Sequence, residues 1–284
     1  MPPSTLPACA DDVRRQDNDR FLTCLFAPAG RREALFAVLA FNLEIARTRE
    51  LVREPLMGQV RLQWWRDVVD RLYSGSGPLS EHTVLEPLAG AITVHRLSRH
   101  HFDTLIDARE SDLDGEAPAT LADLTAYAEA TSAPLVLLAL EVLGTIDAVT
   151  AEAGRHVGIA WALTGLLRAV PFHLRHRRVT LPADLLGRHG LSAVRLLDWR
   201  PDPRALAPAV AEVAAAARHH LAAARRLASE VPAAALPALL PATLADLYLD
   251  SLERSGWDVF SPRVQQRHPL RPLLLAWRVW RGRY

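Results

Sequence analysis

The chain has 284 residues, half of them hydrophobic, and carries 33 basic side chains against 32 acidic ones for a formal net charge of +1. That length holds one large domain or two small ones around a sizeable core, while the near-zero charge and the lack of a recognition motif argue against nucleic acid as a partner. Two cysteines, Cys9 and Cys24, set neither a disulfide framework nor a metal-ligand spacing.

Residues 1–16 contain no apolar run of signal-peptide length and include acids, so they predict a flexible N-terminus rather than a leader or transit peptide. Every cation is an arginine, and with so much alanine, leucine and proline this fits a GC-rich bacterial genome, while the two unpatterned cysteines fit a reducing cytoplasm. The stretch REALFAVLAFNLEIARTREL (32–51) repeats apolar residues close to a 3.6 period, as an amphipathic helix does. GQVRLQWWRDVVDRLYSG is a second helix, closed by Gly75 and Gly77, and TVLEPLAGAITVHRLSRHHFDTLIDARE reads as a third and a fourth. Thr120 with Asp123 forms a capping-box pattern opening LADLTAYAEATSAPLVLLALEVLG.

The next helix, AEAGRHVGIAWALTGLLRAV, is predicted to end at Pro171. RRVTLP (177–182) is the one strand-like run. After a proline-containing break at 198–208, PRALAPAVAEVAAAARHHLAAARRLASEV, LPATLADLYLDSLERSG and PLRPLLLAWRVWRGRY complete an all-α chain. The apolar runs at 133–144 and 157–167 fall short of the roughly 20 residues of a membrane-spanning helix.

Three constellations carry possible chemistry. Arg168, His173, Arg175, His176, Arg177 and Arg178 fall within eleven positions with no acid among them. Cations favour a helix C-terminus through its dipole, and guanidinium forks also suit phosphate or carboxylate oxygens. Asp103, Asp107 and Glu110, and separately Asp246 and Asp250, share a helical face, which serves either as a solvated surface or as a grip on Mg²⁺ beside substrate phosphates. From Arg254 to Tyr284 there are seven arginines against one acid, Asp258. The last helix is then either docked on the core or a surface helix at an anionic membrane or acidic partner. The adjacent pairs His100–His101 and His219–His220 read as surface, since helix neighbours do not face one another.

In their order, FLTCLFAPAGRREALFAVLAFN, LIDARESDLD, LADLTAYAEATSAPLVLLALEVLG and HVGIAWALTGLLRAVPFHLRHRRVTLPADLL resemble the squalene/phytoene synthase family, with residues 17–284 as a single domain. The resemblance implies an isoprenoid-synthase helical bundle around a central cavity. In that family two aspartate-rich helices hold Mg²⁺ while two prenyl diphosphates are joined head to head.

Both motifs are degenerate here. The first reads Ala46-Arg47-Thr48-Arg49-Glu50, keeping one carboxylate, and the second reads Arg168-Ala169-Val170-Pro171-Phe172-His173, keeping its arginine and neither aspartate. The expectation is therefore no metal, no cofactor and no catalytic residue. Arg47, Arg168, His173 and Arg175 become the candidate contacts for an anionic or isoprenoid-tailed ligand in a cavity walled by residues 31–51 and 154–170.

AFNLEIA, GQVRLQWW, LRAVPFH, RRVTLPADLLGRHG and WDVFSPRVQQ are similar to a non-catalytic branch of the family that acts in assembly of respiratory complex I. That implies complex I subunits or assembly intermediates as partners and, for a bacterial chain, a place at the cytoplasmic face of the inner membrane, where the basic C-terminal helix would make peripheral contact if it is not docked on the core. The alternative is an active prenyltransferase that uses Mg²⁺ on displaced carboxylates such as Asp103, Asp107 and Glu110.

Overall fold

A computed structural model describes residues 6–52, 54–76, 82–198 and 202–284; Gly77, residues 1–5 and the centre of the break at 198–208 lie outside them. The expected all-α architecture is present, with no strand among the described residues.

The chain opens with α1 (Ala8–Gln16), α2 (Asn18–Cys24) and α3 (Ala29–Ala46). Part of the stretch expected to be flexible is thus α1, because Cys9, Ala10 and Val13 supply a buried stripe that packs on α3. Cys9 and Cys24 are both buried and unpaired, and burial pushes their thiols up to about 11 and about 12. At Arg47 the backbone leaves α3 for the short α4 (Thr48–Leu51). α5 (Pro55–Ser74) starts on proline and ends on Gly75, whose φ of 73° suits a residue without a Cβ. α6 (Leu85–His95) and α7 (Arg99–Ala108) divide at Arg96, which takes a left-handed φ of 53°, and α8 (Ser111–Asp114) follows.

The centre is α9 (Leu121–Leu143) against α10 (Ala148–Arg175). Thr120 and Asp123 close the expected capping box, and Asp147 accepts the Thr150 amide at 2.8 Å to start α10. Leu135, Leu138 and Val142 of α9 join a core with α1–α3 and α5–α7. Its Leu124, Ala128, Val136 and Leu140 join a second core with α10 and the C-terminal half. Both central helices are long and apolar enough to cross a membrane. Here they bury much of that surface against neighbouring helices.

α10 does not stop at Pro171 but runs on to Arg175. A proline removes one helical N–H and crowds the preceding turn; packing of the half-buried residues 172–174 outweighs that loss. RRVTLP forms no strand and instead leads irregular chain inward, with Val179 and Leu181 buried.

α11 (Ala183–Arg188) and α12 (Ala193–Asp198) precede α13 (Pro203–Arg226), which packs along α10. α14 (Leu236–Leu239), α15 (Pro241–Arg254), α16 (Pro262–Gln265) and α17 (Arg271–Trp280) close the bundle.

The crossing of α9 and α10 depends on Gly158. A Cβ there would stand 2.6 Å from the Ala133 Cα and 2.8 Å from its nitrogen, both backbone atoms that cannot swing aside. Gly158→Ala is expected to cost about 2–3 kcal/mol in urea unfolding, the scale of overpacking a close helix contact. Gly165→Ala, on the same helix with nothing within 4 Å of the added methyl, is expected to be neutral or to stabilise by about 0.5–1 kcal/mol.

Candidate functional site

The two motif segments meet at a cavity of about 410 Å³, within the range typical of small-molecule sites. Ala46, Arg49 and Glu50 come from the α3–α4 break, and Leu166 and His173 from α10. The largest share of the wall is the stretch from Arg109 to Tyr127, and Arg178, Val179 and Thr180 close the far side. The expected walls at 31–51 and 154–170 therefore supply only their ends.

One buried carboxylate organises the polar wall. Asp112 is 7% exposed and accepts the Tyr127 hydroxyl at 2.8 Å, Arg178 at 3.0 Å and Arg109 at 3.4 Å. Arg109 also donates to the Tyr127 hydroxyl at 3.2 Å. Burial alone would lower the Arg109 guanidinium, but Tyr127 and Asp112 outweigh it and hold its pKa above the ordinary value. Burial pushes the Tyr127 phenol up to about 12. Nothing in LIDARESDLD marks Asp112 among its four acids; only the tertiary partners do.

His173 is brought down to about 4, first by burial and then by Arg178, so it lines the cavity as a neutral imidazole. The other candidate ligand contacts are not gathered there. Arg168 turns to the opposite side of α10, with its guanidinium carbon 3.6 Å from the Tyr248 ring centroid and Nε donating to the Val264 carbonyl at 3.3 Å. Arg175 is exposed, and half-buried Arg47 caps α3, its carbonyl accepting the Glu50 and Leu51 amides. Ala169 is half-buried and, like these three arginines, lines no part of the cavity wall.

The displaced carboxylates of the alternative reading are held by arginines. Arg66 bridges Asp107 and Glu110 at 2.7 and 2.6 Å, and Arg99 takes Asp103 at 3.2 Å. Asp246 pairs with Arg225, and Asp250 with Arg218 at 3.1 Å. None of these acids reaches the cavity wall. The histidine pairs also differ from expectation. His101 is buried beside Glu141, and His220 is half-buried with its Nδ1 2.8 Å from that of His156.

Residues 13–271 match the family model described as squalene/phytoene synthase. The chain belongs to the squalene/phytoene synthase family. It is 36% identical over 276 residues to NADH dehydrogenase (ubiquinone) complex I, assembly factor 6 of Bos taurus, covering 97% of this chain and 82% of that protein. The Homo sapiens protein of that name is 33% identical over the same shares of the two chains. A crystal structure of a dehydrosqualene synthase with ligand superposes with a TM-score of 0.83 at 18% identity, over 96% of this chain and 94% of that one.

Family membership implies Mg²⁺ at the two motifs, and the residues of this synthase-family chain do not fit it. The motif positions that face the cavity offer Ala46, Glu50 and His173. The nearest buried carboxylate, Asp112, already serves two guanidiniums and a phenol. Among the described residues no group of three or more histidine, cysteine or acidic side chains converges on a metal position. Divalent magnesium takes oxygen donors in near-octahedral geometry; Asp114, Glu116 and Asp123 also line the wall, beside Arg49, Arg109 and Arg178, but Asp123 is engaged in the capping box of α9 and these acids do not converge on one position.

Two outcomes are expected. Asp112→Ala leaves Arg109 and Arg178 unpaired in the wall and should cost about 3 kcal/mol by chemical denaturation, whereas Tyr127→Phe should cost about 1 kcal/mol. For His173, both folded and unfolded forms are neutral above its ordinary value of 6.5. As pH falls from there to about 4 the unfolded form takes the proton first. Melts across that window should show stability falling with acidification, and His173→Gln should reduce the loss by about 2 kcal/mol.

Proposed function

We propose that this chain acts in the assembly of respiratory complex I rather than in prenyl transfer. The reading rests on one observation: the two segments that face each other across the cavity carry a single motif carboxylate, Glu50, against neutral His173. Loss of pyrophosphate from a prenyl diphosphate needs strong charge stabilisation, and such electrostatics is usually the largest contribution to catalysis. Relatives named as complex I assembly factors share the full extent of the chain, which supports the same role here. Its partners in this reading are subunits or assembly intermediates of the NADH:quinone oxidoreductase. Its place is the cytoplasmic face of a bacterial inner membrane.

Any isoprenoid or lipid-like ligand belongs, in this reading, with its head group at the polar cavity, where His173 and Arg49 are the available contacts. The space between α3, α9 and α14 supports a head group over a prenyl chain. It is lined by Cys24, Val38, Leu39 and Leu135 among others, and it encloses only about 30 Å³, little more than a water site.

Deletion of the gene should lower the amount of assembled NADH dehydrogenase seen by native gel and in-gel activity, and the intact chain should restore it. Incubation of the purified protein with farnesyl or geranylgeranyl diphosphate and Mg²⁺ should release no pyrophosphate above the protein-free rate. Normal complex levels in the deletion, or steady pyrophosphate release, overturns the reading.

A further inference from the structure

α17 has two unlike faces. Its inner face is fixed to the body: Leu275 is fully buried against Leu240, Leu244 and Tyr248. Arg271 is 7% exposed and forms an ion pair with Asp19, which also accepts the Tyr248 hydroxyl at 2.6 Å. Arg271 reaches Asn18 as well, at 3.3 Å. The last helix is therefore tied to α2, more than 250 positions earlier in the chain.

The outer face is apolar and uncovered. Leu270, Leu273, Trp277 and Trp280 are 56%, 69%, 48% and 78% exposed. At 100° per residue they fall within about 80° of arc, so they form one stripe. Large apolar side chains exposed singly are ordinary; four on one stripe mark an interaction surface.

Basic side chains follow directly on this stripe. Arg281 and Arg283 are exposed, and among the described residues neither has a carboxylate within ion-pair distance. Arg278 and Arg281 lie 5.5 and 5.7 Å from the centroid of the Trp277 ring. Asp258 is the one acid between Arg254 and the C-terminus.

We propose that this face of α17 is a docking surface for an anionic lipid bilayer. Leu273, Trp277 and Trp280 enter the boundary between headgroups and acyl chains, and the surrounding arginines meet lipid phosphates. Three features favour a lipid surface as the occupant. Tryptophan combines an apolar ring with an N–H donor and suits the membrane interface. Guanidinium forks pair with phosphate oxygens. The helix is already formed and anchored by Arg271 and Leu275, so binding does not bear the ordering cost that a free amphipathic segment meets. An apolar stripe edged by cations is the pattern of helices that lie in the plane of a membrane.

The test uses the purified full chain and needs no complex I, so its result is separate from that of the assembly reading. Vesicles of equal parts phosphatidylglycerol and phosphatidylcholine should carry the protein into the pellet at low ionic strength. Pure phosphatidylcholine vesicles should carry far less, and added salt should release it. The double variant Leu273→Glu with Trp280→Glu should weaken partition at least about tenfold, as expected for losing about one buried apolar side chain. Arg281→Glu with Arg283→Glu should weaken it by a similar factor. Unchanged melting temperatures keep folding out of the comparison, since all four residues are exposed. Failure to sediment with the anionic vesicles, equal binding to neutral ones, or variants that bind like the parent overturns the proposal.

Discussion

A guanidinium drawn into a protein must find an oxygen to share its charge, and in this chain two buried aspartates meet most of that demand. Asp112 takes Arg109 and Arg178, and Asp19 takes Arg271 and lies 3.9 Å from Arg168. All 33 basic residues are arginine, so no lysine with a readily lowered pKa is available to enter the interior neutral. The first aspartate, on α8, joins the end of α7 to the chain leaving α10, and this shapes the cavity. The second joins α2 to α17 and sets the orientation of the last helix. Each is a buried pair whose loss on one side strands a charge on the other.

This use of carboxylates bears directly on chemistry. A metal-dependent synthase keeps acids free to face cations, each aimed at an open position. Here Asp112, the buried acid in the cavity wall, is held by its own protein, Asp114 and Glu116 line the wall without converging on a metal position, and Asp103, Asp107 and Glu110 are paired with Arg99 and Arg66. The arginine retained in the second motif shows the same shift. Arg168 stacks on Tyr248 and bonds the Val264 carbonyl, two contacts within the fold itself. Burial lowers its pKa while Tyr248 opposes the shift, as befits a packed group more than a ligand hook. The family scaffold is present, with Asp112 and Arg168 engaged by groups of the fold itself.

Local patterns in the sequence carried the helices well. The Thr120–Asp123 capping box and the Gly75 stop depend on neighbours three or four positions away, and both are where the spacing puts them. Features set by distant contacts were not legible. Pro171 is a helix breaker by local rule, yet packing carries α10 past it. His101 and His220 look like surface pairs until Glu141 and His156 arrive from other helices. The two motif segments could be placed, since their residues are contiguous. Which side of α10 each residue faces depends on neighbours 80 and more positions away, and so Arg168 and His173 looked like one site.

That separation has its own consequence. Arg168 and His173 are five residues apart, about 140° around the helix and about 7.5 Å along it. One face of the same two turns lines the cavity, and the other meets Tyr248, which also contacts Asp19 and the anchor of α17. α10 is packed along its length by α9 and α13 and fixed to α9 at Gly158, where no side chain separates the backbones. Cavity and amphipathic helix are thus mounted on one rigid element and keep a constant relation to each other. The bundle in this arrangement holds two surfaces, the cavity and the outer face of α17, at a set angle, and it does so through packing and buried ion pairs alone.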